Sequence, residues 1–423
     1  MSDSEAMSGP ARHPSLLVVG AGDRGTVYSE FVRSHPDLGQ VVAVADVNPA
    51  ARARLADAHQ IPTHRRFEHW RAALATDRFA DAVVIATQDR IHAEPALAFA
   101  GAGWHILLEK PMAPTAAECR AIVEAVERSG VVFAVAHVLR YTPYTQRLVG
   151  LVRSGAIGAL VGVQRLEPVG WWHFAHSYVR GNWRREDESS SVLLAKCSHD
   201  LDWIRYVVGT RCEAVSSFAG RFEFRPERRP DGAADRCVDC GVEPNCPYSA
   251  SRLYLARTRQ GDFGWPVSVI VAEPTEAAVD AALRRGPYGR CVYACDNDVP
   301  DHQVVNLQFA GGRCCSFTMS AFTPFVGRRS TIFGTHGWLV GDGQHIEHVD
   351  FVSGQRKEID VEAGTDRHGG GDHALMRAFL TAVANDDPSA LLCGPRETLE
   401  SHLSVFAAER ARNDNCVVRL DEM

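Results

Sequence analysis

The chain has 423 residues, of which 45% are hydrophobic and 23% charged, and its formal net charge is −7. This is about two to three domains of ordinary globular sequence, and the acidic balance without a long basic run argues against nucleic acid or an anionic membrane as partner. No apolar stretch approaches the roughly 20 residues of a membrane span, and the polar residues 1–13 lack the apolar core of a signal peptide, so they read as a disordered tail on a cytoplasmic protein.

The first apolar run, Leu16-Leu17-Val18-Val19, stops at Gly20-Ala21-Gly22-Asp23-Arg24-Gly25, the pattern of a strand, a glycine turn and a helix start. The three glycines serve different ends, since Gly20 lets the chain turn, Gly22 lets backbone approach a pyrophosphate, and Gly25 lets the helix pack on the sheet. The anion would sit on the helix N-terminus, against the unpaired amides of Asp23, Arg24 and Gly25. A second apolar strand, 41–46, ends in Asp46, 21 residues after Gly25, where the ribose hydroxyls are expected. A carboxylate there accepts from a free 2′-OH and repels a 2′-phosphate, so NAD is favoured over NADP.

Short apolar runs continue at 82–86, 104–108 and 131–136, alternating with helical patterns at 24–34, 49–59, 67–75, 91–102 and 115–129. That alternation implies a doubly wound parallel sheet covered on both faces, here over residues 14–137. Ligands of such sheets bind beyond the carboxyl ends of the strands. Thr87 and His92 follow one strand and Glu109, Lys110 and Pro111 follow another, so Thr87, His92, Glu109 and Lys110 join the expected cofactor contacts.

The glycine fingerprint, the Ala86-Thr87-x4-His92 loop and Glu109-Lys110-Pro111 together resemble the superfamily of glucose-fructose oxidoreductase, inositol dehydrogenase and MocA (Gfo/Idh/MocA). The resemblance extends to Arg140-Tyr141-Thr142-Pro143-Tyr144 and to His199-x-x-Asp202. It implies a Rossmann domain followed, over 138–423, by an α/β domain whose large, mainly antiparallel open sheet carries the substrate site and the contacts of a homodimer or homotetramer. It also implies an NAD-dependent enzyme acting on a secondary alcohol of a sugar, cyclitol or sugar derivative. Lys110 and His199 are then the residues handling the hydroxyl proton, and Arg140 and Tyr141 belong to the substrate set.

The later sequence fits that outline, with a helix at 142–153, a strand at 159–167, a helix at 192–208, strands between 302 and 361, and helices at 372–385 and 396–411. The family places an Asp one turn before the catalytic His; here that position is Ala195, with Lys196 beside it. Two readings stay open: Lys196 takes an electrostatic or proton-transfer role, or Asp200 or Asp202 supports His199. Lys196 and His199 share a helix face, a costly pairing in an apolar helix unless both face a site. The departure also leaves room for a redox-neutral glycosidase working by transient oxidation and elimination, and a non-enzymatic NAD-binding sensor is a third reading.

The segment 169–188 holds Trp172, His176, Tyr178, Arg180 and Trp183, aromatic planes and fork-like donors suited to a sugar ring or an acidic substituent. With Asp200 and His373 they complete the expected substrate contacts, and Asp372 reads as the cap of a helix. The irregular insertion 223–300 contains Cys237-x2-Cys240-x5-Cys246, which resembles three legs of a structural zinc site with Cys291 or Cys295 as the fourth; free thiols are the alternative.

Overall fold

The computed structural model describes residues 13–271 and 273–423. The tail expected at 1–13 therefore lies, apart from His13, outside the described residues. Among the described residues no helix is long and apolar enough to cross a membrane.

The chain forms two compact units, the first of residues up to Gly150 with Val361–Leu403 and the second of Leu151–Asp360 with Ser404–Met423. In the first, β1 (Ser15–Val19), β2 (Gln40–Ala45), β3 (Arg66–Phe67), β4 (Ala82–Ile85), β5 (His105–Leu108) and β6 (Phe133–Val135) form a sheet in the order β3-β2-β1-β4-β5-β6. All of its pairings are parallel. Such strands are buried on both faces, which is why β1 and β4 are continuous apolar runs. The order reverses between β1 and β4, the switch point at which these sheets bind ligands.

Helix Gly371–Asn385 is part of the first unit, where Leu375, Met376, Phe379 and Leu380 share one core with Leu16, Tyr28, Phe31 and Val44. Asp372 does not cap that helix: Gly370 stands at the cap position, without a side-chain bond.

In the second unit, β7 (Leu160–Pro168), β8 (Cys212–Gly220), β9 (His302–Phe309), β10 (Arg313–Ser320), β11 (Arg329–Gly334), β12 (Gly337–Gly341), β13 (His345–Asp350), β14 (Arg356–Asp360) and β15 (Val418–Arg419) form a nine-stranded sheet. Its order is β14-β13-β12-β11-β7-β10-β9-β8-β15, antiparallel except for the parallel pair β7 and β10. Alternation along β9 turns Val305, Leu307 and Phe309 inward. Helix Val192–Val208 covers β7 and β10 and buries almost its whole circumference, Lys196 and Arg205 excepted. Among its described residues the 223–300 stretch contains one long helix, Glu276–Arg285, among short turns and helical pieces.

Candidate active site

At the end of β1 the three glycines have separable roles. Gly20 has φ +96°, and a Cβ there would lie 2.4 Å from the Ala86 carbonyl oxygen; a Cβ on Gly25 would lie 1.9 Å from the Gly20 oxygen. Gly22 meets no protein atom within 4 Å, so packing does not account for it. It is the N-cap of helix Asp23–Ser34 and supplies no capping side chain, which leaves the first amides directed at whatever lies in front. Asp46, one residue past β2, accepts from the Ala21 amide and, at 2.7 Å, from the Asn48 amide, which aims its carboxylate along the turn. After β4, the Thr87 hydroxyl is buried with no hydrogen-bond partner. An uncrowded glycine, open helix amides, an acid after β2 and a buried hydroxyl without a partner fit the pyrophosphate and ribose of NAD.

Beyond β5, Glu109 is 4% exposed. It accepts from the Arg24 Nε at 2.6 Å, the Tyr28 hydroxyl and the Lys110 amide. Arg24 also pairs with Asp372 at 2.6 Å, and Asp372 faces His368 Nδ1 at 2.8 Å. Burial pushes the Glu109 carboxyl up, but Arg24 and Lys110, with the bonds from Tyr28 and Arg24, outweigh it and hold the group below the usual carboxylate range. Asp372 is held down in the same way, burial being outweighed by His368 and Arg24. These bonds tie the start of helix Asp23–Ser34 to the loop after β5. Asp23 points to Arg367, leaving its backbone amide for an anion. His92 is buried as a strut, with Nδ1 against the Pro111 oxygen at 2.7 Å and Nε2 against the Thr87 oxygen at 3.1 Å. It therefore ties the β4 loop to the β5 loop. Lys110 stands half-buried two residues past β5, at the carboxyl edge of the sheet.

Three expected substrate residues are engaged elsewhere in the first unit. Arg140 is fully buried and donates to the Leu392 oxygen and to Glu397 at 2.9 Å; the Tyr141 hydroxyl accepts from the Leu392 amide. The His373 ring packs on Phe31 at 5.2 Å.

In the second unit, Ser191 caps helix Val192–Val208 by accepting from the Leu194 amide, which fixes Lys196 and His199 one turn apart. Lys196 Nζ lies 3.5 Å from Glu167, Glu167 pairs with Arg328 at 2.7 Å, Arg328 with Asp200 at 2.7 Å, and Asp200 with Arg165 at 2.7 Å. Asp200 is completely buried between two guanidinium groups; burial raises its pKa, yet Arg328 and Arg165 bring it below the usual range. It is an ionic anchor between β7 and Arg328. His173 borders this chain of charges, and burial, then Lys196, holds its imidazole well below the ordinary value.

An aromatic group built from helix Trp171–Phe174, the π-helical turn Ala175–Arg180 and the insertion stands beside these charges. Trp172 packs on Phe325 and Trp265 at 4.9 and 5.3 Å. Tyr178 is 4% exposed and contacts Phe174 and Trp183, while Trp183 keeps 38% of its surface open. His176 is absorbed into the insertion, with Nδ1 2.7 Å from the Tyr254 hydroxyl and its ring stacked on Tyr288. Arg180 is 1% exposed and bonds to the carbonyls of Arg290 and Tyr248. His176 and Arg180 thus lie in the interior, Lys196 joins the charged chain and Trp183 reaches the surface.

Glu167, Arg165 and Arg328 are missing from the sequence reading. A signal existed for two of them: Arg165 and Glu167 alternate with period two along the same buried face as Val163, where charge is costly unless it is paired. Among the described residues all twelve cysteines are unbridged, and no group of three or more His, Cys, Asp or Glu is gathered at metal-binding geometry, so the zinc expectation finds no assembled site.

A doubly wound parallel sheet with a glycine turn at its switch point, on a chain whose second unit is a mixed nine-stranded sheet, defines a Rossmann-type dinucleotide-dependent class. The chain belongs to the Gfo/Idh/MocA oxidoreductase family: the model described as its NAD-binding Rossmann fold matches residues 15–137 and that of its C-terminal alpha/beta domain matches 150–420. It is similar to the putative oxidoreductase YteT of Bacillus subtilis (strain 168), 23% identical over 70% of this chain and 71% of that protein. It also resembles the 2,7-anhydro-N-acetylneuraminate hydratase of Escherichia coli (strain K12), 27% identical over 48% of this chain and 52% of the relative. The levoglucosan dehydrogenase of Pseudarthrobacter phenanthrenivorans is 29% identical over 45% and 50% respectively, so these last two matches span about half of each relative. A solved levoglucosan dehydrogenase in complex with NADH and levoglucosan shares the fold with a TM-score of 0.71 at 19% identity, covering 97% of this chain and 100% of that one.

Proposed function

We propose that this protein oxidises a secondary alcohol of a sugar, cyclitol or related polyol, with NAD as the hydride acceptor. The observation that carries the reading is Lys110, half-buried two residues past β5 on the edge of the sheet where the glycine turn and Thr87 also stand. Relatives named for levoglucosan and for 2,7-anhydro-N-acetylneuraminate support a carbohydrate substrate.

The amides after Gly22 hold the pyrophosphate and Asp46 accepts from the adenosine ribose. Lys110 Nζ, as a neutral amine, takes the proton of the reacting hydroxyl, and His199 shares that duty. Lys196, held by Glu167, supplies a fixed positive charge for hydroxyl or acidic groups of the substrate. Bound NAD supplies the acceptor for the hydride.

The redox-neutral alternative has two observations in its favour: alanine at 195, where the resemblance leads one to expect an acid, and a relative named a hydratase. Incubation with a panel of sugars and glycosides, following NADH and released product together, separates the readings. Accumulating NADH is the expected result; product without net NADH would establish the alternative, and tight NAD binding with neither would leave a sensor. Lys110→Ala should keep NAD affinity and lower turnover by roughly two or more orders of magnitude. A near-normal rate in that variant would remove the lysine from the chemistry. Size-exclusion chromatography with light scattering tests the proposed homodimer or homotetramer.

A further inference from the structure

The insertion holds a chemical group that the oxidoreductase site does not use. Cys237, Cys240, Cys246 and Cys291 all line one cavity of about 20 Å³, and Arg180 lines it too; Cys295 does not. The backbone brings these positions together without help from the thiols. Cys237 and Cys240 are joined by a tight turn, Cys246 follows the turn Glu243–Asn245, and Cys291 is delivered by the bridge between Arg236 and Arg290 and by its amide bond to the Asp235 oxygen at 2.8 Å.

Arg180 supplies the independent observation. Its guanidinium is 1% exposed and donates to the carbonyls of Arg290 and Tyr248 and, at 3.5 Å, to Cys237 Sγ. Its Nη1 is buried with no partner, and its side chain has no carboxylate among the described residues. A buried cation without a counter-charge is costly. Elsewhere in this chain a buried arginine such as Arg165 has its carboxylate.

We propose that Cys237, Cys240, Cys246 and Cys291 bind one structural zinc ion, and that Arg180 is the positioning cation for the resulting tetrathiolate. Four thiols give up four protons to solvent as the divalent ion enters, leaving two net negative charges beside Arg180. Among the described residues the sulfurs are not gathered at metal-binding geometry, so binding requires the four side chains to turn into the cavity. The volume suits a single ion, since about one water-sized sphere occupies a space of 10–15 Å³. The insertion has reason to need it: its own apolar cluster is small, centred on Tyr254, Val267, Val279 and Leu283, and irregular segments with small cores commonly rely on a metal or a disulfide.

The test uses the full chain purified in reducing buffer without chelator. Elemental analysis should find about one zinc per chain. Cys291→Ser should lose it and Cys295→Ser should retain it, while Arg180→Met should release zinc to a chelator about tenfold or more faster. Stripping zinc from the unmodified protein should lower its melting temperature reversibly, with NAD affinity unchanged, which keeps the test valid if a cysteine variant fails to fold. Protein that takes up no zinc on reconstitution and melts unchanged with chelator would overturn the proposal. So would an iron–sulfur absorbance, or a disulfide among these four residues.

Discussion

At the scale of single residues, the three glycines of the first turn look alike in sequence and differ in surroundings. Gly25→Ala places a methyl 1.9 Å from the Gly20 carbonyl, so this variant should lose stability, seen as a lowered melting temperature of the ligand-free protein. Gly22→Ala meets no protein atom, so it should melt normally and bind NAD at least about tenfold more weakly, because the added methyl occupies the approach of the pyrophosphate. Unchanged NAD affinity in Gly22→Ala would remove the phosphate from that turn. Asp46 gives the second prediction at this scale. Asp46→Ser should narrow the preference for NAD over NADP measured by equilibrium titration, since the carboxylate that repels a 2′-phosphate is gone. If the unmodified protein prefers NADP, the ribose assignment fails, and Arg52 or Arg54 becomes the phosphate ligand to examine.

At the scale of elements, the sequence showed which segments were rich in chemistry more clearly than which side chains reached a site. The turn Ala175–Arg180 supplies His176 and Arg180, both suited by type to a substrate, yet its π-helical winding directs them into the insertion, against Tyr254 and Tyr288 and beside the thiol cavity. A consequence is measurable. Burial, then Arg180, brings the His176 imidazole down to about 3. In the unfolded chain a histidine titrates near 6.5, so the unfolded state binds the extra proton in between, and stability contributed by the neutral ring is full above about pH 6.5 and declines as pH falls toward 3. The loss is on the order of 1.4 kcal/mol per pH unit inside that window. Denaturant midpoints measured from pH 7 to pH 4 should show it, and His176→Gln should flatten the slope. An equally steep profile in that variant would assign the acid sensitivity to other groups.

At the scale of the whole molecule, the order of segments along the chain and their order in space diverge. Helix Gly371–Asn385 comes late in sequence but completes the core of the first unit with Leu375, Met376, Phe379 and Leu380. Each such side chain contributes roughly 1.5–3 kcal/mol when buried. A fragment of residues 13–150 should therefore be poorly packed, with weak near-ultraviolet circular dichroism, and linking residues 361–403 to it should restore a cooperative melt. Equal cooperativity in the two fragments would show that the helix is dispensable.

The strands and helices of the first unit, the glycine turn, the acid after β2 and the lysine after β5 were legible in the sequence because each depends on local backbone demands: φ sign at a turn, continuous apolar runs in a buried parallel sheet, an open helix end. The short strand β3 and the strand β8 were not, since two residues carry no periodicity and β8 opens with mixed polar positions. Nor did sequence reveal the partners of the charged residues. Arg24 meets Asp372 across 348 residues, and Arg165 meets Ser330 and Asp200 across 165 and 35. Local spacing records what one segment can do, whereas the partner of a buried charge is chosen by which distant segment the sheet order brings against it. The tertiary structure alone therefore decided which polar side chains pair with one another to brace the scaffold.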